Sequence, residues 1–571
     1  MNRYVIRAAG GAFSALALTL FSGCATTGDA ATPEPVAEPI PEGFETRAGA
    51  ASYHLLRAEL ALQKNRYDVA VDEYVAAARY SDDDDVAERA TEVAFDAGRD
   101  DAARVAVKRW RALDPGSTQA LQYQLRLALR EGDTDTAQSA AREWLARLDS
   151  EREERFLGLS TLLLQENTPA ASLAVAREIA RENDGASRAH YAHGLVALRT
   201  GDTAAARDAA LRASELAPDW AHASLLYARA LIAGGDIEDG INYAAERIGG
   251  NNAISERLEY GSLLAGVGRE DEAQIVLEQV LRDDRSNPGA LRALGLLYLK
   301  LGDLDGAQAM FTQLLATGRN AYDAMYYLAS IAESQNQMRR AVRLYSQVIE
   351  GPNAAPSQLR VAGILSLEGK TDEALQHLEN FAAAQPRYTV DMALGQGEIL
   401  IADDQTDRAL TLYDDVLAAY PNEVRVEYAR AFLLEDLDRV DDALHQLRLV
   451  LARDPNDPDA LNALGYTLAD RTDQVDEAYE LIERAYQLNS DSPAIIDSLG
   501  WVQFKRGNLN EAQSLLEQAY ARFPDIEIAA HLIEVLYHQG DQKGAARLLT
   551  NALLRAPDND KLLDVKTRLG L

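Results

Sequence analysis

Fifteen small residues recur along the chain at a nearly constant step: Ala70, Ala103, Ala137, Ser172, Ala206, Gly240, Ala273, Ala307, Ala341, Ala374, Ala409, Ala443, Ala478, Ala512 and Ala545. Successive members are 33 to 35 residues apart. A period of that length marks one supersecondary unit copied in series, each copy burying its apolar face against the next. A residue without a bulky side chain is needed at a fixed point of every copy where two helix backbones cross closely. Interiors are packed to crystal density, and a larger side chain would hold the backbones apart.

Other positions keep the same step. Gly98, Gly132, Gly201, Gly235, Gly268, Gly302, Gly369, Gly507 and Gly540 each follow an apolar run of helical period, where a helix C-terminus calls for positive φ. Pro115, Pro218, Pro386, Pro421, Pro455, Pro524 and Pro557 fall about twelve residues beyond the small position, where a second helix must stop because proline cannot continue it. Each unit is therefore expected to be a helical hairpin. The chain is rich in Ala and Leu and lacks β-branched alternation, which points to an all-α fold of about fifteen hairpins.

These residues resemble the tetratricopeptide repeat family, whose 34-residue pattern asks for Leu-Gly, an aromatic, Gly, Ala, an aromatic or aliphatic residue, Ala and Pro at set places. Leu294-Gly295, Tyr298, Gly302, Ala307 and Phe311 fill one unit, and Leu499-Gly500, Gly507, Ala512, Ala519 and Pro524 fill another. Coverage runs from about Ala51 to Pro557, so residues 49–557 are read as the solenoid and 558–571 as a polar helix over its last repeat. Two units depart from the pattern. Asn167 and Pro169 replace the usual turn before Ser172, and one extra residue near Asp473 precedes Ala478; the stack is expected to bend or loosen there. The resemblance implies a right-handed superhelix whose inner wall is lined by the first helix of each unit, with roughly seven or eight units per turn. Counted from the family pattern, Tyr326, Arg360, Tyr428, Asn462, Tyr466, Trp501 and Lys505 face that wall. Aromatics and Arg at such places suit peptide binding, and the alternative for Tyr466 and Trp501 is packing between neighbouring helices.

A formal net charge of −33 excludes nucleic acid as a natural partner, because a phosphate backbone would be repelled. Basic partners are favoured; the alternative is that the acidic excess only keeps a long solenoid soluble.

Arg3 and Arg7 precede an apolar run from Ala8 to Phe21, too short to span a bilayer, so residues 1–23 read as a secretory signal. The run ends in Phe21-Ser22-Gly23-Cys24, and Cys24 is the only cysteine in the chain. The segment resembles the bacterial lipobox, with Phe21 in place of the usual Leu. That resemblance implies that Cys24 becomes a lipidated mature N-terminus, and Ala25 after it implies sorting to the outer membrane, facing the periplasm. Several acyl chains on one residue give stable anchoring. Residues 24–48 are then a tether in which Pro33, Pro35, Pro39 and Pro41 favour extended conformation. At about 3.1 Å per residue it reaches on the order of 70 Å.

Catalytic motifs are not found. There is no Gly-x-Ser-x-Gly elbow, phosphate loop or dinucleotide fingerprint, so neither an enzyme nor a bound cofactor is expected. His190 and His193 have the spacing to place two imidazoles on one helix face, with His222 nearby, but histidines in repeats more often pack than ligate. The run Asp82 to Asp85 lacks the alternating spacing of a calcium loop and fits a helix N-cap better. The whole layout resembles the outer-membrane lipoprotein adaptors that bind a carboxyl-terminal processing protease and bring it cell-wall hydrolases to degrade. That resemblance implies a non-catalytic scaffold anchored by lipid. The alternative is a scaffold for assembly or export of a pilus, polysaccharide or outer-membrane protein complex.

Overall fold

The computed structural model describes residues 43–571 apart from 65, 149–152 and 249–252. The described residues form thirty-one α-helices and one short 3-10 turn at Pro386–Tyr388, with no strand among them. They fall into two compact units that divide between Gln337 and Met338.

The first unit holds α1 (Arg47–Leu62), α2 (Tyr67–Tyr80), α3 (Asp84–Asp96), α4 (Asp100–Leu113), α5 (Thr118–Glu131) and α6 (Thr134–Arg147). It continues with α7 (Arg155–Gln165), α8 (Pro169–Glu182), α9 (Ser187–Arg199), α10 (Thr203–Leu216), α11 (Ala221–Ala233) and α12 (Ile237–Ile248). It ends with α13 (Ile254–Gly266), α14 (Glu270–Asp283), α15 (Pro288–Lys300), α16 (Leu304–Ala316) and α17 (Ala321–Ser334). The second unit opens with α18 (Met338–Tyr345), α19 (Ala354–Leu367), α20 (Thr371–Ala384), α21 (Thr389–Ala402), α22 (Thr406–Ala419) and α23 (Val424–Asp436). There follow α24 (Val440–Arg453), α25 (Pro458–Arg471), α26 (Val475–Leu488), α27 (Pro493–Lys505), α28 (Leu509–Arg522), α29 (Ile526–His538), α30 (Gln542–Arg555) and α31 (Asp560–Leu569). Odd-numbered helices are the first and even-numbered helices the second of each repeat.

Each of the fifteen small residues is the fourth residue of a second helix, and all are buried. The crossing they permit is close. At Gly240 an added Cβ would stand 2.7 Å from the Ala228 carbonyl oxygen of α11, and Gly465 on α25 leaves 3.0 Å between its own missing Cβ and the Ala478 carbonyl oxygen. The turns between paired helices also follow from the sequence. Gly132 has φ 72°, so the amide of Asp133 reaches back to the Ala128 carbonyl at 2.9 Å, while the Asp133 carboxylate accepts from the Thr136 amide at 3.1 Å and starts α6. All nine glycines read as helix ends have positive φ. Asn336, Asp404 and Asp438 hold the same left-handed place in three other turns, because a short polar side chain tolerates it.

The two irregular repeats differ from one another. Before Ser172, α7 is short and packs more extensively on α9 than on its own partner α8. Glu166 takes over the turn, accepting from Arg126 Nε at 2.5 Å and Arg130 Nε at 2.7 Å, and Ser172 Oγ donates to the Leu163 carbonyl at 2.8 Å. Before Ala478, the Thr472 hydroxyl donates to the Leu468 carbonyl at 2.7 Å and accepts from the Gln474 amide at 3.1 Å, and α25 still packs fully on α26. At the C-terminus, Leu562, Val565 and Leu569 of α31 are buried against α29 and α30. No described helix is long and apolar enough to cross a membrane.

Candidate protein-binding surface

In the second unit the first helices α25, α27, α29 and α31 bring one polar and aromatic network together. His531 on α29 lies at its centre. Its Nδ1 is 3.0 and 3.1 Å from the two carboxylate oxygens of Asp497 on α27, and its Nε2 is 3.3 Å from the hydroxyl oxygen of Tyr466 on α25. That hydroxyl donates to Glu527 Oε1 at 3.1 Å, and Glu527 also pairs with Lys561 of α31. A carboxylate only accepts, so with its hydrogen committed to Glu527 the Tyr466 oxygen must accept from His531 Nε2–H, and Nδ1–H goes to Asp497. The pattern requires the imidazolium. Burial alone would press the His531 pKa down, but the adjacent charge and hydrogen bond of Asp497 outweigh it and the net shift is upward. Tyr466 is pushed well up, by burial first and then by Glu527.

The Trp501 indole stacks on His531 with ring centroids 4.3 Å apart, and its Nε1–H donates to Asp470 at 3.0 Å. Lys505 sits 4.8 Å over the indole and 3.8 Å from Asp470. Tyr466 and His531 are 65 residues apart. The network thus ties α25 to its second neighbour, whereas most contacts in a repeat stack reach only the adjacent one. Towards α23 the Tyr428 hydroxyl donates to Asp457 at 3.3 Å, Glu427 pairs with Arg453, and Thr467 donates to Glu435 at 2.9 Å. Burial raises the pKa of Tyr428 and of Glu435.

Of the residues read as an inner wall, Tyr466, Trp501 and Lys505 come together in this network. Trp501 and Tyr428 are buried, in the packing role rather than as open ring faces. Asn462 is half-buried on α25, and its Oδ1 is buried without a hydrogen-bond partner. Arg360 is exposed on α19. Tyr326 belongs to the first unit, set edge-on to Tyr327, which stacks on Phe311 at 4.7 Å. Cys24 lies outside the described residues.

Two of the three histidines weighed as ligands have other partners. His190 Nε2 is 3.0 Å from the Asp184 carbonyl oxygen and His222 Nδ1 is 2.9 Å from Glu259, whereas His193 is half-buried with its Nε2 unpartnered, and desolvation lowers its pKa to about 4. Ligand atoms do gather at Asp83, Asp84 and Asp85, all within 4.8 Å, where Asp83 accepts from the Asp85 amide as the N-cap of α3. His531, Asp497, Asp470 and Glu527 escaped sequence reasoning. The available signal was the 34-residue separation of Asp497 and His531, one repeat. A second cluster also escaped it, in the first unit: Arg188 lies 4.4 Å over Trp220, whose ring is 4.7 Å from Tyr191. Both His531 nitrogens are committed to Asp497 and Tyr466, so the ring has none left to activate a nucleophile.

A tetratricopeptide repeat model matches residues 191–253, 259–307, 292–356 and 368–424, and a second model of that family matches 400–465 and 503–569. Together they cover more than half of the chain. The TPR repeat-containing protein PA4667 of Pseudomonas aeruginosa is 42% identical over 211 residues, which are 37% of this chain and 36% of that protein. The human protein O-mannosyl-transferase TMTC1 is 22% identical over 208 residues, 36% of this chain and 24% of that protein. The chain thus spans about a third or less of the length of these relatives. Among solved structures, yeast Tom70 is 16% identical with a TM-score of 0.37, over 74% of this chain and 96% of that one. With the small-residue period and the turn geometry running through both units, the chain belongs to the tetratricopeptide repeat family.

Proposed function

We propose that this chain is a lipid-anchored scaffold on the periplasmic face of the outer membrane that binds a carboxyl-terminal processing protease and brings it cell-wall hydrolases, in the manner of the LbcA-type adaptors of the protease CtpA. The observation that carries the scaffold part is the series of helical repeats that fills each of the two units. The finer reading is supported by layout: a signal, Cys24 in a lipobox, a Pro-rich tether and repeats thereafter. The chain performs no chemistry in this reading. It raises the effective concentration of substrate beside an enzyme, and its acidic surface favours basic partners.

The test is affinity purification of the intact lipoprotein from detergent-solubilised envelope, followed by mass spectrometry. Co-purification of a processing protease with cell-wall hydrolases is expected; recovery of pilus, polysaccharide or outer-membrane assembly components instead would favour the assembly scaffold. Anchoring has its own check. Cys24→Ser should release the protein into the soluble periplasm, and continued fractionation with the outer membrane after a high-salt wash would refute lipidation.

A further inference from the structure

Helix α1 carries a largely exposed apolar face, touched at one end by the Phe44 ring, 5.3 Å from that of Tyr53, and by Arg57, 5.5 Å over the Tyr53 ring. Tyr53 is 46% exposed, Leu56 62% and Leu60 46%. They lie at i, i+3 and i+7, one stripe of the helix. Tyr53 and Leu60 stand 17 and 10 residues before the small residue of their repeat, Ala70. At those two places in α5, α9, α11 and α15 stand Ala120 and Leu127, Ala189 and Val196, Ala223 and Ala230, and Ala290 and Leu297, none more than 2% exposed. What covers those places is the second helix of the preceding repeat. Ala120 and Leu127 join the core built by Val107 and Trp110 of α4, while Leu121 and Leu125 of the same helix join the core of α6. Ala189 and Val196 likewise pack with Val175 and Ile179 of α8. So α1, the first described helix, keeps the chemistry of an internal helix–helix interface. An end face in a solenoid ordinarily carries polar residues for solubility.

The sequence of α1 and the turn after it is locally basic. Between positions 47 and 67 stand Arg47, Arg57, Lys64 and Arg66 against a single acid, Glu59, in a chain of net charge −33. Arg57 and Lys64 are exposed, seven residues apart, along one border of the stripe, and Arg57 already pairs with Glu73 of α2 at 2.9 Å.

We propose that this face of α1 docks an amphipathic α-helix of a partner protein, seated where a preceding second helix would lie, with its apolar stripe on Tyr53, Leu56 and Leu60 and an acidic flank beside Arg57 and Lys64. The repeat geometry calls for a helix, and the local charge calls for acid on it. This docking rests on the protein-binding reading of the chain. It adds a site of opposite charge preference to the acidic surface elsewhere.

The test uses the full-length protein in detergent and three synthetic helical probes, read by fluorescence anisotropy. One is a stapled 18-residue helix with Leu at i, i+3 and i+7 and Glu along one flank; the second replaces Glu with Lys; the third is a scrambled control. The Glu-flanked helix should bind at least tenfold more tightly than the other two, and Leu56→Ser with Leu60→Ser should cost at least tenfold. Arg57→Glu with Lys64→Glu should reverse the preference between the Glu and Lys probes. Circular dichroism of each variant establishes that the repeats remain folded. Equal binding of all three probes, or binding unchanged by the leucine substitutions, overturns the proposal. So does a concentration-dependent dimer that Leu56→Ser dissolves, which makes a second copy the occupant, or vesicle binding lost in the same variant, which makes it lipid. Tighter probe binding after deletion of residues 26–42 assigns the face to the chain itself and equally overturns it. These probes read α1 alone, so they can fail while protease delivery succeeds, or the reverse.

Discussion

Gly240→Ala adds one methyl group at the closest crossing of α11 and α12. The new Cβ would stand 2.7 Å from the Ala228 carbonyl oxygen and 2.7 Å from Ile232 Cγ1. The first obstacle is helix backbone, which cannot swing aside as a side chain can. Replacing glycine inside a helix by alanine gains about 1 kcal/mol, whereas overpacking a core costs about 1–3 kcal/mol. With backbone in the way the upper part of that range applies, and a net loss of about 1–2 kcal/mol is expected. Gly363 in α19 is the control, because a Cβ there meets nothing within 4 Å. Gly363→Ala should therefore gain about 1 kcal/mol, and the two substitutions should differ by about 2–3 kcal/mol. Repeats unfold in pieces, so native-state hydrogen exchange of the amides in α11, α12 and α19 is the right assay. Faster exchange confined to α11, α12 and their neighbours is expected for Gly240→Ala. If both substitutions slow exchange alike, the close crossing does not limit what the small position can hold.

The pH dependence should differ between the two units. The folded pKa of His531 is raised, so its stabilisation is complete below the ordinary histidine value and is lost as pH rises through the folded value; amides of α29 should exchange faster on the alkaline side, and Asp497→Asn should move that loss to lower pH. His193 is half-buried with its pKa lowered to about 4, so its contribution is lost as pH falls below the ordinary histidine value and α9 should loosen in acid; a pH-independent α9 would contradict this. Glu166→Gln weakens the acceptor shared by Arg126 and Arg130. The arginines are partly exposed, so a loss of about 1–2 kcal/mol is expected, read as quicker limited proteolysis between α7 and α8.

The repeat architecture was legible because one packing demand recurs fifteen times, and chance does not place a small residue at the fourth position of every second helix. Nine turns were legible through glycine. Those at Asn336, Asp404 and Asp438 were not, since Asn and Asp tolerate positive φ yet occur in many other settings. The candidate surface was legible only in part. Family spacing placed Tyr466, Trp501 and Lys505 near one another, but not the His531 and Asp497 between them, because a contact to the second neighbour depends on how the stacked helices converge. Burial of Trp501 and Tyr428 depends on the same convergence. The apolar stripe of α1 stands out only when its exposure is set beside the buried places of later repeats.

The most direct test of the proposed role is the rate at which a carboxyl-terminal processing protease digests a cell-wall hydrolase with and without the detergent-solubilised full-length chain. The chain alone should hydrolyse nothing. Added to both proteins it should accelerate digestion by holding enzyme and substrate together, with an effect that weakens between low and high salt as charge pairing is screened. Unchanged proteolysis across candidate envelope proteases would contradict the adaptor reading and leave the assembly scaffold as the better account.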